Sequence, residues 1–271
     1  MKNSNRKVKN ILLFLAVIAL VFVAYYLGEK KNKEKDMIVE DNTVKTQMPE
    51  EPVAVSPIIT SEKKSQKSSE KAYDIDIEYP VLSSANVQSS VKEMNSRINS
   101  YLAQVKSEFI ENANEMSKYN TETDVKSSLV MKYKVYGPVH GVETVAFDVS
   151  DYNAGAAHPN SYVRTLNFST KTGKEISLTD MCADSSSCLS KLAPMYQAEL
   201  KNKLLGMSMD YGDTAIDGSA ARAGNYQVFI STKDTLDVVY NPYQVAPYAA
   251  GNIRVALPWD KVSVYLLPEY K

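Results

Sequence analysis

The chain has 271 residues, of which 44% are hydrophobic, and its 31 basic and 32 acidic residues give a formal net charge of −1. From Tyr73 onward, 18 basic residues stand against 23 acidic ones, which leaves a net charge of −5 in that part of the chain. This balance argues against a nucleic-acid partner and mildly favours a cationic one.

The N-terminal region is predicted to contain a membrane anchor. Residues 11–27 are an uninterrupted apolar run, which as a helix just spans the hydrocarbon core of a bilayer. The candidate signal-cleavage sites end at Ala24 and Gly28, and both have a bulky aromatic residue where processing needs a small one. We therefore predict a cytoplasmic tail at 1–10 and an uncleaved transmembrane helix at 11–28.

The flanking charges alone leave the orientation of this helix open, because four basic residues precede it and four follow it closely. The short basic tail has the form of a signal n-region, and the closely spaced cysteine pair suits an oxidising compartment. The N-terminus is therefore expected inside and the remainder outside the cell. Residues 29–72 are rich in Lys, Glu, Ser and Pro, and are predicted to be a flexible, disordered linker.

A first globular region is predicted at 73–153. Residues 73–82 alternate between apolar and acidic side chains, which predicts a strand that ends at Pro80. The three acids on one face could suggest a metal or acid–base site, but a solvated face is the preferred interpretation. Apolar residues then recur every three or four positions from Val87 to Phe109, which predicts a long amphipathic helix. Residues 127–137 and 141–152 are predicted to be paired strands.

A second region is predicted at 154–267. It begins with a hairpin between the segments "SYVRTLNFST" and "EISL", followed by a helix with Pro194 in its first turn or at a kink. The segments "YQVFIS", "TLDVVY" and "NIRVALP" are predicted to be three more strands. The predicted fold class is α+β, with helices packed on largely antiparallel sheet, preceded by one transmembrane helix and a disordered linker.

The two cysteines, Cys182 and Cys188, lie between the predicted hairpin and the second helix. A zinc site would need two more ligands, and the chain's only two histidines, His140 and His158, do not have zinc-finger spacing. A disulfide that closes a small loop is therefore predicted, and no metal is expected.

The order of these segments resembles a known arrangement of domains. The strand "YDIDIEYPVL" with the helix after it resembles the PdaC/SigV-type domain. The turn "AHPN" and the loop "PYQVAPYAAG" resemble parts of the domain that follows it in RsiV-like and PdaC-like proteins. The resemblance covers residues 73–267 and implies a membrane-tethered extracytoplasmic α+β module, which in RsiV-like members binds lysozyme. The family loop usually has an acid where this chain has Gln244.

The residues contain no sequence motif that is typical of an enzyme. The chain lacks a nucleophile elbow, a zinc-protease motif, a Walker loop and a dinucleotide fingerprint, so no cofactor is expected. The plausible catalytic residue is His158, with Asp148 and Asp151 upstream, but a turn histidine bonded to nearby backbone is the preferred interpretation. Neither an anti-sigma nor a deacetylase domain is expected in this chain.

The uncharged loop at 241–251 is the predicted binding site. Its length exceeds what a hairpin needs, and its tyrosines could serve as contact residues. Tyr243 is expected to fold inward over the sheet edge, and Tyr248 to point outward beside Pro247. The two residues of the other specific turn, His158 and Asn160, are their expected neighbours.

Three classes of function remain open at this point. The first is an envelope receptor module that binds a protein such as lysozyme, or peptidoglycan, and it is favoured by the loop. The second is an envelope hydrolase acting on peptidoglycan through an unrecognised site. The third is an assembly protein whose loop pairs with a second copy.

Overall fold

The computed structural model describes residues 58–119 and 125–271. The predicted tail, the predicted anchor at 11–28 and most of the predicted linker lie outside these residues. Within the part of the chain that is described, no helix has the length and apolar character needed to cross a bilayer.

The first sheet contains five strands in the order in which they occur in the chain. Its members are β1 (Thr60–Ser69), β2 (Tyr73–Ser83), β3 (Ser127–Val139), β4 (Val142–Tyr152) and β5 (Asn160–Ser169). Neighbouring strands are antiparallel except β2 and β3, which run parallel because a long helix connects them. The predicted α+β class with largely antiparallel sheet is confirmed.

Strand β1 corrects the predicted linker, which was expected to remain disordered as far as residue 72. All ten residues of β1 are exposed, and the strand pairs with β2 from Thr60 opposite Ser83 to Ser69 opposite Asp74. Cross-strand ion pairs join Lys63 to Glu78 and Lys67 to Asp76. Such an edge strand is held by backbone hydrogen bonds and charge pairs and buries no apolar face, so hydrophobic periodicity does not predict it.

Strand β2 continues to Ser83, so the prediction that it ends at Pro80 is wrong. Strand β3 pairs with β2 only as far as Ile77. Beyond that residue β2 has one neighbour, β1, and a proline is tolerated where a strand is paired on a single side.

Helix α1 (Gln88–Ser117) covers one face of this sheet, as the apolar spacing predicts. Met94 and Ile98 are 0% and 1% exposed, and they pack in one cluster with Val145 and Phe147 of β4. Because side chains alternate across a strand, Ala146 lies on the opposite face of the sheet.

The second sheet packs on that opposite face. It consists of β6 (Phe229–Ser231), β7 (Thr235–Tyr240) and β8 (Ile253–Pro258), all antiparallel. Ala146 and Val163 of the first sheet share a buried cluster with Val228, Ile230 and Val239. Helix α2 (Cys188–Gly206) packs on the second sheet, with the short helices α3 (Asp213–Gly218) and α4 (Trp259–Val262) beside it.

Three details of the predicted second region differ from the structure. Strand β5 belongs to the first sheet, so the predicted boundary at residues 153 and 154 separates paired strands. The segment "EISL" makes only an isolated bridge, Phe168 with Glu175, before a 3₁₀ helix at Leu178–Met181. The segment "YQVFIS" forms a strand of only three residues. Of the two alternatives for Pro194, a place in the first turn of α2 is wrong, because Pro194 lies in the interior of the helix; a kink stays a prediction.

The predicted disulfide between Cys182 and Cys188 is present, and it joins the 3₁₀ helix to the start of α2. Both cysteines are buried.

Changing both cysteines to Ala should lower the free energy of unfolding by about 2 kcal/mol, because the unfolded chain then gains the entropy of an open loop. Denaturant titration of the full chain measures this difference. Reducing agent should lower the stability of the native protein by a similar amount and leave the double variant unchanged; equal effects on both would contradict the assignment.

Candidate functional site

The uncharged loop at 241–251 connects β7 to β8 and is fixed at its start by Asn241. The amide oxygen of Asn241 accepts a hydrogen bond from the Val163 backbone N–H at 2.8 Å. The amide nitrogen of Asn241 donates a hydrogen bond to the Val163 carbonyl oxygen at 3.0 Å. The Asn241 side chain thus pairs with β5 as a neighbouring strand would, and ties the loop to the first sheet.

Gln244 fixes the middle of the loop. Its amide nitrogen donates to the carbonyl oxygens of Gly218 and Asn225, both at 3.0 Å. A carboxylate at this position could accept hydrogen bonds but could not donate to two carbonyl groups. A side chain on Gly218 would place its Cβ 1.8 Å from the backbone oxygen of Gln244, so the loop requires glycine there.

Much of the loop is therefore packed against the protein. Val245 and Ala246 are 3% and 7% exposed and belong to the core cluster of the second sheet. Burial of this middle part is one reason for the absence of charge in the segment, because an unpaired charge there would be costly.

Tyr243 is 63% exposed, so the prediction that it folds inward is wrong. The backbone N–H of Gln244 donates to the Asn241 carbonyl at 3.0 Å, which closes a four-residue turn with Pro242 and Tyr243 at its centre. Tyr243 has a φ of +69°, the sign that the third residue of a type II turn requires. A bulky residue is costly in this conformation, and the turn holds its side chain in solvent.

Tyr248 lies between Tyr243 and His158 and contacts both. Its ring stacks on the ring of His158 with centroids 4.2 Å apart and 28° between the planes. The centroid of the Tyr243 ring is 5.6 Å from that of Tyr248. The Tyr248 hydroxyl donates to the Pro159 carbonyl at 2.6 Å, so Tyr248 is half-buried and not fully outward as predicted.

The other predicted site residues surround these rings. Nδ1 of His158 lies 2.8 Å from the Pro159 carbonyl, which is the backbone contact expected for a turn histidine. The Asn160 amide donates to an Asp151 carboxylate oxygen at 3.3 Å. Burial raises the pKa of Asp151, and this hydrogen bond partly offsets the rise. Pro247 is exposed.

We use the term aromatic patch for Tyr243, Pro247, Tyr248 and His158, with Asn160 at its edge. The prediction that His158 is a neighbour of Tyr248 is confirmed, whereas the orientation predicted for Tyr243 is wrong. The contact between Asn160 and Asp151 and the anchoring amides of Asn241 and Gln244 were not predicted, since no periodic signal marks them.

A groove of about 570 Å³ adjoins the patch. Its lining includes Tyr243, Val245 and Pro247 of the loop together with Asp210 and Asp213. Its lining is mostly apolar and includes two acidic residues and no basic one. Within 58–119 and 125–271, no three His, Cys, Asp or Glu residues are grouped as metal ligands. The chemistry available at the patch is ring stacking, apolar contact and hydrogen bonding.

Family models match the chain in two consecutive stretches. The model described as "Deacetylase PdaC" covers residues 66–161, and the model described as "Protein of unknown function (DUF3298)" covers residues 179–260. The chain has a PdaC–DUF3298 architecture. The resemblance to PdaC stated from the sequence is confirmed, and the two matches indicate an extracytoplasmic module of the cell envelope. The aromatic patch combines His158 and Asn160 of the PdaC stretch with Tyr243 and Tyr248 of the DUF3298 stretch.

Curated relatives are distant. The immunogenic protein MPT64 of Mycobacterium tuberculosis is 24% identical over 198 residues, which cover 73% of this chain and 80% of that protein. The peptidoglycan-N-acetylmuramic acid deacetylase PdaC of Bacillus subtilis is 22% identical over 267 residues. That match covers 97% of this chain and 52% of the deacetylase, so the chain spans about half the length of that relative.

Solved structures show the same fold. A DUF3298-family protein from Bacteroides fragilis aligns with a TM-score of 0.53 and 14% identity, over 79% of this chain and 94% of its own. A DUF3298-family protein from Pseudomonas aeruginosa aligns with a TM-score of 0.53 and 16% identity, over 79% and 96%. These likenesses concern the fold of the PdaC–DUF3298 module.

Proposed function

We propose that this chain is a membrane-tethered binding module of the cell envelope that captures a ligand through the aromatic patch. The favoured ligand is a cationic protein of the lysozyme type, and a cell-wall glycan is the second candidate. The observation that carries the proposal is Tyr243, a large ring held in solvent on a backbone conformation that is unfavourable for tyrosine.

The rigidity of the patch supports binding. Asn241 and Gln244 fix the loop through four hydrogen bonds to backbone groups. The Tyr248 hydroxyl fixes the second ring against the Pro159 carbonyl. Rings that are already ordered lose little conformational entropy when a ligand covers them, so more of the contact energy contributes to affinity.

The charge around the patch supports a cationic ligand. Asp210 and Asp213 line the adjoining groove, and Asp151 lies beside Asn160. The chain from Tyr73 onward is also acidic overall, with a net charge of −5. Complementary charge speeds association with a basic protein and depends on salt, so binding should weaken as ionic strength rises.

The proposed location is the outer face of the plasma membrane. In this proposal residues 11–28 form a single transmembrane anchor, and the segment between the anchor and β1 tethers the module. Mass spectrometry of the protein extracted from membranes tests this part: a mature N-terminus near residue 25 or 29 would show that the anchor is removed.

We propose that the chain binds and does not catalyse. A peptidoglycan hydrolase is the alternative, and the printed name of the PdaC relative, a peptidoglycan deacetylase, is the observation that favours it. The full chain should release neither acetate nor soluble fragments from purified peptidoglycan during prolonged incubation. Release that requires the folded protein would support the hydrolase and contradict the binding module.

Changing Tyr243 to Asn should weaken binding of hen egg-white lysozyme to the full chain by more than about 1 kcal/mol, as loss of an aromatic anchor does. Asn tolerates a positive φ, so the thermal midpoint should change little or rise. Calorimetric titration measures the affinity and thermal melting measures the stability.

The matched control is Tyr119→Asn, because Tyr119 is 74% exposed and belongs to another part of the surface. It should leave lysozyme affinity unchanged. Equal affinities of the wild type and the Tyr243→Asn variant would contradict the patch as the binding site. Binding of purified glycan strands in place of lysozyme, lost in the same variant, would assign the patch to the glycan candidate.

A further inference from the structure

A second cleft, separate from the aromatic patch, opens between β5, the 3₁₀ helix at Leu178–Met181 and the start of α2. We call it the polar cleft. It has a volume of about 370 Å³, near the lower end of the roughly 300–1,000 Å³ of small-molecule sites. Its polar lining comes from Arg164, Thr165, Asn167, Glu175, Ser177, Thr179 and Gln227, and its apolar lining includes Ile176, Leu189 and Tyr226. No member of the aromatic patch lines it.

The floor of the polar cleft is preorganised by a buried network. Thr165 and Asn167 are each 2% exposed. The Asn167 amide donates to the Thr165 hydroxyl at 3.1 Å and to the Phe229 carbonyl at 3.0 Å. The amide oxygen accepts a hydrogen bond from the Thr144 hydroxyl at 2.6 Å. Both side chains are therefore held in place before any ligand arrives.

Two of the polar groups in this cleft keep hydrogen-bonding capacity. The Thr165 hydroxyl accepts from Asn167, but its own proton has no acceptor among the described residues. The side-chain amide of Gln227 makes no hydrogen bond to any residue that the structure describes, although it lines the cleft. The buried Thr165 hydroxyl is best satisfied by a ligand that offers an acceptor, and the exposed Gln227 amide can supply a donor and an acceptor to the same ligand.

The charges in the wall balance one another. Arg164 lies 3.4 Å from Glu175, and a second oxygen of Glu175 lies 2.5 Å from Arg97. The acid is thus compensated, and a strongly charged ligand would have to break one of these pairs. The partly exposed Arg164 guanidinium still presents donors, of which the described residues use one, in a long hydrogen bond. The wall therefore suits a neutral ligand with several oxygen acceptors.

The apolar part of the lining completes the pattern. Ile176, Leu189 and Tyr226 add apolar groups to the same lining that contains the donors and acceptors. A molecule with hydroxyl groups around its edge and an apolar C–H face would satisfy both kinds of group at once, which is the combination found in a hexose ring. We propose that the polar cleft is a binding site for one neutral sugar residue of a carbohydrate chain, an activity beyond the protein-binding function of the patch.

Ala223 provides a test of this site because it lines the cleft and is exposed. A tryptophan at this position should fill the cleft mouth without disturbing Thr165 or Asn167. The full chain should bind the neutral trisaccharide of N-acetylglucosamine, observed by saturation-transfer NMR, and Ala223→Trp should lower that affinity at least tenfold. Ala221→Trp is the matched control, since Ala221 is equally exposed and does not line the cleft.

A second variant, Gln227→Ala, covers the case in which the tryptophan disturbs folding. It removes the exposed amide and should lower the affinity several-fold with an unchanged melting temperature. Absence of trisaccharide binding to the wild type would overturn the proposal. Wild-type affinity in both cleft variants, Ala223→Trp and Gln227→Ala, would overturn it as well. Loss of binding in Tyr243→Asn, with Ala223→Trp unaffected, would instead place the sugar at the aromatic patch and overturn the cleft. Binding of a zwitterionic dipeptide without the trisaccharide would overturn the assigned ligand class.

Discussion

Replacing Ile98 by Asp should unfold the module. Ile98 is 1% exposed and lies in the apolar stripe of α1 against the first sheet. A carboxylate there has no partner, and burying it costs several kcal/mol, a large share of the roughly 5–15 kcal/mol that stabilises a typical domain. The variant should lose the cooperative thermal transition that far-UV circular dichroism of the full chain records.

The neighbouring residue offers the control for this change. Asn99 is exposed on the same helix, so Asn99→Asp introduces the same charge on the solvent side and should shift the melting temperature little. Asp76→Ala should also have a small effect, because its ion pair with Lys67 lies at the surface. Comparable losses in Ile98→Asp and Asn99→Asp would show that the faces of α1 are assigned wrongly.

The apolar spacing correctly predicts the burial of Ile98, and this has a physical reason. Helix α1 and strand β2 each bury a single face, so their apolar residues repeat at the helical or strand period and reveal both the element and its orientation. Strand β7 was likewise predicted with its observed limits, Thr235–Tyr240. The record in the local sequence is a single apolar face in α1 and β2, and an apolar run in β7, whose Val238 and Val239 belong to different core clusters.

Strand β1 shows where that record is missing. Its sequence "TSEKKSQKSS" contains no apolar residue, and every one of its residues is exposed. Its partner β2 supplies backbone hydrogen bonds and acids for its lysines, and these are properties of the partner. A segment whose composition is typical of a disordered chain therefore forms a strand, because the edge of β2 is available to pair with it.

The candidate site lies between these two cases. Composition and length mark the loop at 241–251 as unusual, and the resemblance, through its other specific turn, correctly names His158 as a neighbour of Tyr248. The orientation of Tyr243 depends on one turn that gives this residue a φ of +69°. Tyrosine is an uncommon choice at that position, so the turn could not be predicted from residue preferences. The polar cleft is less visible still, because it is formed by four separate stretches of the chain.

Glu143 is a buried acid whose position on β4 accounts for its burial. In the segment "GVETVAFDVS" it has the same strand parity as Val145, Phe147 and Val149, which all face α1. Glu143 is accordingly 0% exposed, and neither of its carboxylate oxygens has a hydrogen-bond partner within the described residues. Burial raises the pKa of Glu143 to about 8 from an ordinary value of 4.5.

The direction of the resulting pH effect follows from this pKa. In the folded protein Glu143 holds its proton up to about pH 8, whereas in the unfolded chain it loses the proton near pH 4.5. The folded state therefore binds more protons between these values, and stability falls as pH rises through that window. Below pH 4.5 both states are protonated, and the carboxyl group contributes no such loss.

Changing Glu143 to Gln should remove this loss, because the amide is similar in size and stays neutral. Relative to the wild type, the variant should gain about 3 kcal/mol of stability between pH 4 and pH 7, since each pKa unit corresponds to about 1.4 kcal/mol. Denaturant titrations of the full chain across pH 4–8 measure the difference directly.

Glu93→Gln, at an exposed position of α1, is the matched control, and its stability should run parallel to that of the wild type at every pH. If Glu143→Gln also runs parallel to the wild type, the buried carboxyl group is already ionised at neutral pH, which would contradict the raised pKa. If instead the two curves converge at pH 4 and separate steadily towards pH 8, the module contains a neutral carboxylic acid in its core, and a rise in pH from about 4.5 to about 8 weakens its fold through this one residue.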